Sequence, residues 1–360
     1  MKHMDMKPID YAQEIANIRG LAPRSIRSYK HTLQLYSKFN EKSLGELLKE
    51  AETEEEQGIR WKHRTLRKRL IRYQNYLLQN YKYKTVTTYM GKLKTWYYCY
   101  DIEIGQLPPI NKKQANLPVP ITYDDLPTKE TLRKAYNLGT PLFKAVLLFT
   151  ISSGCGKQEV LNLTLKDYYD WIKPYTVNDI LNNEIDVVPT IKLKRQKSNK
   201  YYTTFCSPEA IREIATYLQT RKDDDPRLFK VSYRHLTILF RDMNETLGLG
   251  KLNDTGILRM HMLRKFHASR LYNAENGLSL DEIDSLQGRS KNKTRESYYF
   301  NSTDKLKKKY ISNIDQVTIL DQVHTITVDS PEVQLLKEKA EKIDELERLV
   351  KKIMERNQTK

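Results

Sequence analysis

The residues of this sequence best suited to chemistry are His261 and Arg264, three positions apart in the segment HMLRKFHASRLY. If this segment is helical, both side chains lie on one face, and an imidazole and a guanidinium can approach the same anion. Such a pair could stabilise charge on a phosphoryl group and move a proton while a phosphodiester is cut. Taken alone, the spacing is a weak signal, because an ordinary surface histidine beside a salt-bridged arginine gives the same pattern.

The chain around this pair is predicted to be mainly helical with a small sheet. The apolar run at 143–151 predicts a buried helix. The segment EIDVVPTIKLKRQKSNKYYTTFCS alternates and is rich in Val, Ile, Tyr and Thr, so we expect a β-hairpin or small sheet with Ser198 and Asn199 at its centre. A helix should follow, with Ser207 as its N-cap and Pro208 at its first position.

The net charge of the chain is +17, which attracts polyanions and makes nucleic acid the leading partner. Other basic proteins, such as ribosomal proteins, share this balance. The sequence has no apolar run long enough for a membrane span and no signal-peptide pattern, so we expect a cytoplasmic protein. Cys99, Cys155 and Cys206 are scattered singly, which favours buried thiols over a disulfide frame or a zinc site. P-loop and C-x-x-C motifs are also absent from the sequence.

The first third of the chain is predicted to be an all-helical, DNA-binding module. Apolar residues recur at helical spacing over 26–39, 66–77 and 86–97. The second of these helices and the residues before it carry a dense set of basic side chains, which suits contacts to phosphates along a duplex. A solvated basic helix face would have the same composition. The basic residues are Arg60, Lys62, Arg64, Arg67, Lys68, Arg69 and Arg72.

Five prolines between Leu107 and Pro127 predict an extended connection between two domains. We therefore expect an N-terminal extension over 1–20, the helical domain over 21–107, a linker over 108–127, a second domain over 128–315 and a tail over 316–360. A seven-residue apolar repeat in the tail indicates a short coiled coil or docking helix for protein contact. The repeat consists of Leu336, Ile343, Leu346, Val350 and Ile353.

About forty residues from His261 onward resemble the C-terminal segment of tyrosine recombinases, in which H-x-L-R precedes an LGH-like turn and then a tyrosine. In that alignment His261 and Arg264 are the family's histidine and second arginine, and the run LQGR at 286–289 stands for the turn. Tyr298 falls nine positions after Arg289, at the nucleophile, with Tyr299 as its rival. Arg289 replaces the family's usual His or Trp; it can donate hydrogen bonds but cannot shuttle protons, so His261 is the better acid or base.

Upstream, SSGCGKQEVLNL resembles the family's first arginine box, with Gly154, Glu159 and Leu163 at matching spacing. Gly156 occupies the arginine column and Lys157 follows. This pattern is similar to integrases of archaea and their viruses, and Lys157 could supply the missing charge as a point donor.

The hairpin sequence resembles the family's β-hairpin, which carries a lysine that acts as general acid toward the leaving 5′ oxygen. Lys197 is the first choice for this role. The rivals are Lys192, Lys194 and Lys200. A basic hairpin that only contacts phosphates would look the same.

The resemblance implies a helical core-binding domain and a mainly α catalytic domain with a small antiparallel β-sheet. It implies a site-specific recombinase or integrase that cuts and rejoins double-stranded DNA through a 3′-phosphotyrosyl intermediate, without metal, nucleotide or other cofactor. Self-assembly into a tetramer on DNA is expected, in the host cytoplasm or nucleoid. The alternatives are a relaxing topoisomerase with the same chemistry and a non-catalytic DNA-binding protein that retains the fold.

Overall fold

The computed structural model describes residues 6–110, 117–182, 185–197, 199–289 and 302–320, which fall into two compact units divided after Pro120. Both units are mainly helical and the only paired strands of the described ranges form two-stranded antiparallel sheets, so the predicted fold class, mainly α with a small antiparallel sheet, is confirmed. Within these ranges no helix is long and apolar enough to span a bilayer.

The described residues of the first unit form five α-helices and a short 3-10 turn at Trp61–His63. The helices are α1 (Pro8–Arg19), α2 (Pro23–Asn40), α3 (Leu44–Glu56), α4 (Thr65–Asn80) and α5 (Tyr83–Tyr98). The three helices expected from the apolar spacing are α2, α4 and α5. Within the N-terminal 1–20 segment, α1 also buries Tyr11 and Ile15 in the same core.

Tyrosine and tryptophan side chains form much of this first core. Tyr36 packs edge-on against Tyr73 and Trp96, with ring centroids 5.0 and 6.2 Å apart. Its hydroxyl lies 3.0 Å from that of Tyr97, so two phenols that are removed from water satisfy each other. The helices are therefore fixed by large rings with specific geometry as well as by aliphatic packing.

The second unit begins with five helices and a hairpin, and the predicted buried helix at 143–151 is confirmed. The helices are α6 (Lys129–Leu138), α7 (Pro141–Ser153), α8 (Lys157–Asn162), α9 (Leu165–Ile172) and α10 (Val177–Asn182). Ten residues of α7 are buried, which makes it the central helix of the unit. The hairpin strands are β1 (Thr190–Arg195) and β2 (Lys200–Phe205), paired antiparallel, as the alternating sequence predicts.

The other described elements follow along the chain. They are α11 (Pro208–Gln219), α12 (Tyr233–Thr246), the two-residue strands β3 (Lys251–Leu252) and β4 (Thr255–Gly256), α13 (Met260–Tyr272), α14 (Leu280–Leu286), α15 (Thr303–Ser312) and a 3-10 turn at Ile314–Val317. Ser207 is the N-cap residue of α11 with Pro208 at the first position, as predicted. The Ser207 hydroxyl makes no capping bond; instead its backbone N–H donates to Ser152 Oγ at 2.5 Å.

The end of the described chain is tied to the body of the second unit. Glu209 accepts hydrogen bonds from the backbone N–H of Ile319 at 3.0 Å and of Leu320 at 3.0 Å. Burial raises the pKa of the Glu209 carboxyl to about 7. Lys129 donates to the carbonyl of Asp315. The core of this unit thus extends to residue 319, beyond the expected start of the tail.

Candidate active site

Arg264 lies on α13 and is almost fully buried, with 8% of its surface exposed. Its Nη1 donates to the carbonyl of Gly154 at 2.6 Å, and its Nη2 donates to the carbonyl of Gln287. These two carbonyls follow the ends of α7 and α14, so the guanidinium joins three segments that are distant in sequence. Because both acceptors are neutral, the positive charge is held in place without being cancelled.

Gly154 is the point at which α7 ends and α13 docks. Its φ of 65° is left-handed, and its N–H donates to Thr150 O, closing the last turn of the helix. A Cβ at this position would lie 2.5 Å from Nδ1 of His267, which is fully buried. Both the backbone conformation and the missing space therefore require glycine here.

Gln287 locks the backbone of this region to α13. Its Nε2 donates to the carbonyl of Arg264 at 2.9 Å and lies 3.0 Å from Nδ1 of His267. Burial, followed by the charges of Arg264 and Arg289, lowers the pKa of His267 to about 3. His267 is therefore neutral, and its Nδ1 accepts the amide hydrogen bond. The sequence reasoning did not single out His267, because its role comes from packing against Gly154 rather than from any motif.

Arg195, the last residue of β1, also reaches this region and was likewise missed. Its Nη1 donates to the carbonyl of Gly288 at 2.6 Å. Gly288 has a φ of 58°, and a Cβ there would lie 2.5 Å from Cδ1 of Tyr202. The ring of Tyr202, on β2, thus packs against the turn, and the inner face of the hairpin borders the Arg264 region.

Further positive charge gathers around Arg264. Burial lowers the pKa of Arg264, and the nearby charges of Arg195 and Arg289 act in the same direction. Arg289 is exposed, and its Nη1 lies 3.5 Å from Asp284 Oδ1. Desolvation, then Lys265 and Arg259, lower the pKa of His261. The imidazole is therefore neutral at neutral pH and able to accept a proton, and the surrounding cations favour an anionic ligand.

The structure directs Lys157 toward α12. Its Nζ donates to Thr237 Oγ1 at 2.6 Å and lies 4.2 Å above the ring centroid of Tyr233. It is the first residue of α8, and Gly156 is the N-cap. Both of these contacts are with α12, whereas Arg264 lies on α13.

The hairpin register divides the candidate lysines between two faces. Lys192 and Lys194 lie on the face opposite to Arg195, and Lys194 Nζ sits 5.3 Å from the ring centroid of exposed Tyr201. Lys200 is directly paired with Arg195 and therefore shares the inner face. Lys197 is exposed in the connection between the strands.

Tyr298 and Tyr299 lie outside the described residues, as does the heptad segment. The described ranges contain no cluster of three or more His, Cys, Asp and Glu side chains able to hold a metal ion.

A mostly apolar groove of about 380 Å³ borders the cationic region. Lys265 and Arg289 are the only charged residues among its described lining, and Leu280 on its wall is 63% exposed. Both charged residues of its lining are cations, and Arg289 also contributes to the positive charge around Arg264.

In the first unit, two of the seven predicted DNA-binding residues have carboxylate partners among the described residues. Arg64 pairs with Glu55 at 2.7 Å, and Arg69 donates to both carboxylate oxygens of Glu50 at 2.8 Å. Arg69 is only 8% exposed, so it fastens α4 to α3. Four others are exposed and Arg67 is partly exposed. The exposed four are Arg60, Lys62, Lys68 and Arg72.

A second basic face of the first unit was missed by the sequence reasoning. It follows the contact between α2 and α5, where Lys92 donates to Ser28 Oγ and the rings of His31 and Tyr89 lie 6.0 Å apart. The lysines and arginines exposed or partly exposed on these two helices are Arg24, Arg27, Lys30, Lys38, Lys84, Lys92 and Lys94. These residues are divided between two helices, so they do not form a cluster in any single segment of the sequence.

Solved structures with a similar fold include several DNA recombinases. The XerH site-specific recombinase bound to palindromic difH substrate aligns with 16% identity over 74% of this chain and 76% of its own, with a TM-score of 0.48. The Tn1549 transposon integrase in complex with a circular intermediate DNA aligns with 13% identity over 86% and 99%, with a TM-score of 0.45. The XerA recombinase aligns with 18% identity over 84% and 98%, with a TM-score of 0.35. All three similarities are distant.

No protein-family model matches the sequence, and the comparison with curated proteins finds no match either.

Proposed function

We propose that this protein is a site-specific DNA recombinase of the tyrosine recombinase type. The observation that carries the proposal is the buried guanidinium of Arg264, held by two backbone carbonyls with Arg195, Arg289 and His261 around it. Fixed, positively charged hydrogen-bond donors in a partly desolvated site stabilise the negative charge that develops on a phosphoryl group. A phosphodiester of DNA fits this arrangement and the +17 charge of the chain.

In the proposed reaction, the Tyr298 oxygen attacks the phosphorus and the bond to the 5′ oxygen breaks. The reference pKa of a tyrosine phenol is about 10, so such a nucleophile needs a base to take its proton and cations to stabilise its oxyanion. His261 is the proton acceptor, while Arg264 and Arg289 bind the non-bridging oxygens. Lys197 donates a proton to the departing 5′ oxygen, and Lys157 adds positive charge. Reversal by a 5′ hydroxyl rejoins the strand, so neither a metal nor a nucleotide is needed.

The finer features of the proposal follow from the resemblance. The protein integrates the DNA of a mobile element or virus, is closest to the integrases of archaea and their viruses, and acts in the cytoplasm or nucleoid. Residues 21–107 and 128–315 form the DNA-binding and catalytic domains. The first contacts DNA with its exposed basic residues. A tetramer assembles on two DNA sites, with the heptads of the tail as one contact between protomers.

A covalent trap tests the proposal. Wild type, Tyr298→Phe and Tyr299→Phe are incubated with supercoiled plasmid and with a random-sequence duplex library in EDTA, denatured, and digested for mass spectrometry. We expect a DNA-linked peptide at Tyr298 in wild type and in Tyr299→Phe, and none in Tyr298→Phe. An adduct at Tyr299 would move the nucleophile by one residue. Tight DNA binding without any tyrosine adduct would favour the non-catalytic DNA-binding protein.

A further inference from the structure

We propose that Arg195 is an additional phosphate-binding residue of this site and contacts the same phosphate as Arg264. This inference rests on the proposed function and extends it to a residue outside the motifs that suggested it. The first observation is the position of the two arginine side chains. Arg264 Nη2 and Arg195 Nη1 donate to the carbonyls of Gln287 and Gly288, which are consecutive residues. The Cα atoms of Gln287 and Gly288 are about 3.8 Å apart, and the charge of Arg195 acts on Arg264, so the two guanidiniums lie close enough to interact.

The second observation is the charge balance. Among the described residues, no carboxylate pairs with Arg195 or Arg264, and Asp284 pairs only with Arg289. Tyr202 and Cys155 also lie close to Arg264. However, burial raises the pKa of Tyr202, and it raises that of Cys155 to about 11, so neither supplies negative charge at neutral pH. Neighbouring guanidiniums without a counter-ion repel each other, and an anion bound between them relieves that repulsion.

The third observation is the geometry of the side chain. Arginine carries five N–H donors in a planar fork, and the hydrogen bond to Gly288 uses one of them. That bond fixes the fork while it leaves other donors for two phosphate oxygens. Register decides which hairpin side chains can do this, because Arg195 lies on the inner face and Lys194 on the outer one.

Single-turnover cleavage tests the assignment. The probe is a duplex selected by covalent capture with the wild type from a random-sequence library. It is prepared with either a phosphodiester or an uncharged methylphosphonate at the cut position. The variants are Arg195→Ala, Arg195→Lys and, as a matched control, Arg241→Ala, which removes an exposed arginine paired with Asp242 on α12. Thermal unfolding and non-covalent binding of the probe are measured for each variant.

On the phosphodiester we expect Arg195→Ala to slow cleavage on the order of 10²- to 10³-fold, as for loss of one charge-stabilising donor. Arg195→Lys should retain part of the rate, and Arg241→Ala should match wild type. On the methylphosphonate the Arg195→Ala loss should shrink to less than about tenfold, because one negative oxygen has been removed and less charge needs stabilising.

Two results would overturn the inference while leaving the proposed function intact. One is cleavage of the phosphodiester by Arg195→Ala at the rate of Arg241→Ala. The other is an equal loss on both substrates, which indicates a purely structural role; if Arg195→Ala fails to fold, the comparison is made with Arg195→Lys. Failure of the wild type to form any adduct would instead overturn the proposed function, and this inference with it.

Discussion

Replacement of Gly154, at the end of α7, by alanine should lower the unfolding free energy for two separate reasons. Gly154→Ala forces alanine into a left-handed conformation, which costs about 1 to 2 kcal/mol. It also places a methyl group 2.5 Å from the ring of fully buried His267, and overlap of this kind in a packed core costs about 1 to 3 kcal/mol. We expect a total loss of about 2 to 5 kcal/mol.

Gly248→Ala in the same unit is the matched control. Gly248 has a φ of 61°, close to that of Gly154, and its added Cβ would meet nothing within 4 Å. Only the conformational cost remains, about 1 to 2 kcal/mol. Urea unfolding followed by circular dichroism gives both values, and the difference between the two variants measures the contact with His267.

The two variants should also differ in DNA cleavage. In Gly154→Ala the methyl group displaces His267 or the backbone whose carbonyl holds Arg264, so cleavage should fall more than the loss of folded protein explains. Equal unfolding free energies for the two alanine variants would refute the reasoning, because the ring contact would then cost nothing. A large loss of stability with full cleavage would refute only the link to Arg264.

Two further predictions concern the protonation state of His267 and the role of Lys197 as a general acid. The pKa of His267 is lowered from its usual value of 6.5 to about 3 in the folded protein. Between these two pH values His267 is protonated in the unfolded chain and neutral in the folded protein. Stability should therefore fall as pH drops from about 6.5 toward about 3, by about 1.4 kcal/mol per pH unit for this group. The unfolding free energies of wild type and His267→Asn are measured by urea unfolding at pH 6 and pH 4. Between these pH values the unfolding free energy should fall less in His267→Asn, because the variant lacks the proton that His267 takes up on unfolding. An equal fall in both proteins would contradict the lowered pKa of His267. If Lys197 is the general acid, Lys197→Ala should lose about 10²-fold or more in cleavage. A 5′-sulfur leaving group should restore most of the rate, because a thiol has a pKa of only about 8.5 and leaves without a proton. If the 5′-sulfur substrate restores the cleavage rate of Lys200→Ala and not that of Lys197→Ala, the general acid is Lys200, on the inner face of the hairpin.

Local sequence signals predicted the elements better than the contacts between them. Apolar spacing located α2, α4 and α5, alternation located the hairpin, and Pro208 marked the start of α11. These features depend on residues near each other in the chain. The two-residue strands β3 and β4 were missed, because a pairing of that length leaves no periodic pattern.

The residues that sequence reasoning missed at the site act through long-range contacts. Arg195 is one of several basic residues in its segment, and only the strand register distinguishes it from Lys194. His267 contacts Gly154, more than a hundred residues earlier, and no spacing rule connects them. Arg69 was grouped with DNA-binding residues because its neighbours are basic, although it is buried against Glu50. In each case the direction of the side chain decides the role.

The charge of the site has an energetic consequence for the free protein. An arginine keeps its proton when buried, so desolvation of Arg264 is offset only in part by its two neutral carbonyls. Arg195 and Arg289 add repulsion, and among the described residues only Arg289 of these three arginines forms an ion pair, with Asp284. In the proposed complex, the phosphate would supply negative charge at this point, and a ligand that binds only the folded state stabilises it. Relief of the repulsion among the arginines would then add to the affinity for the proposed phosphate.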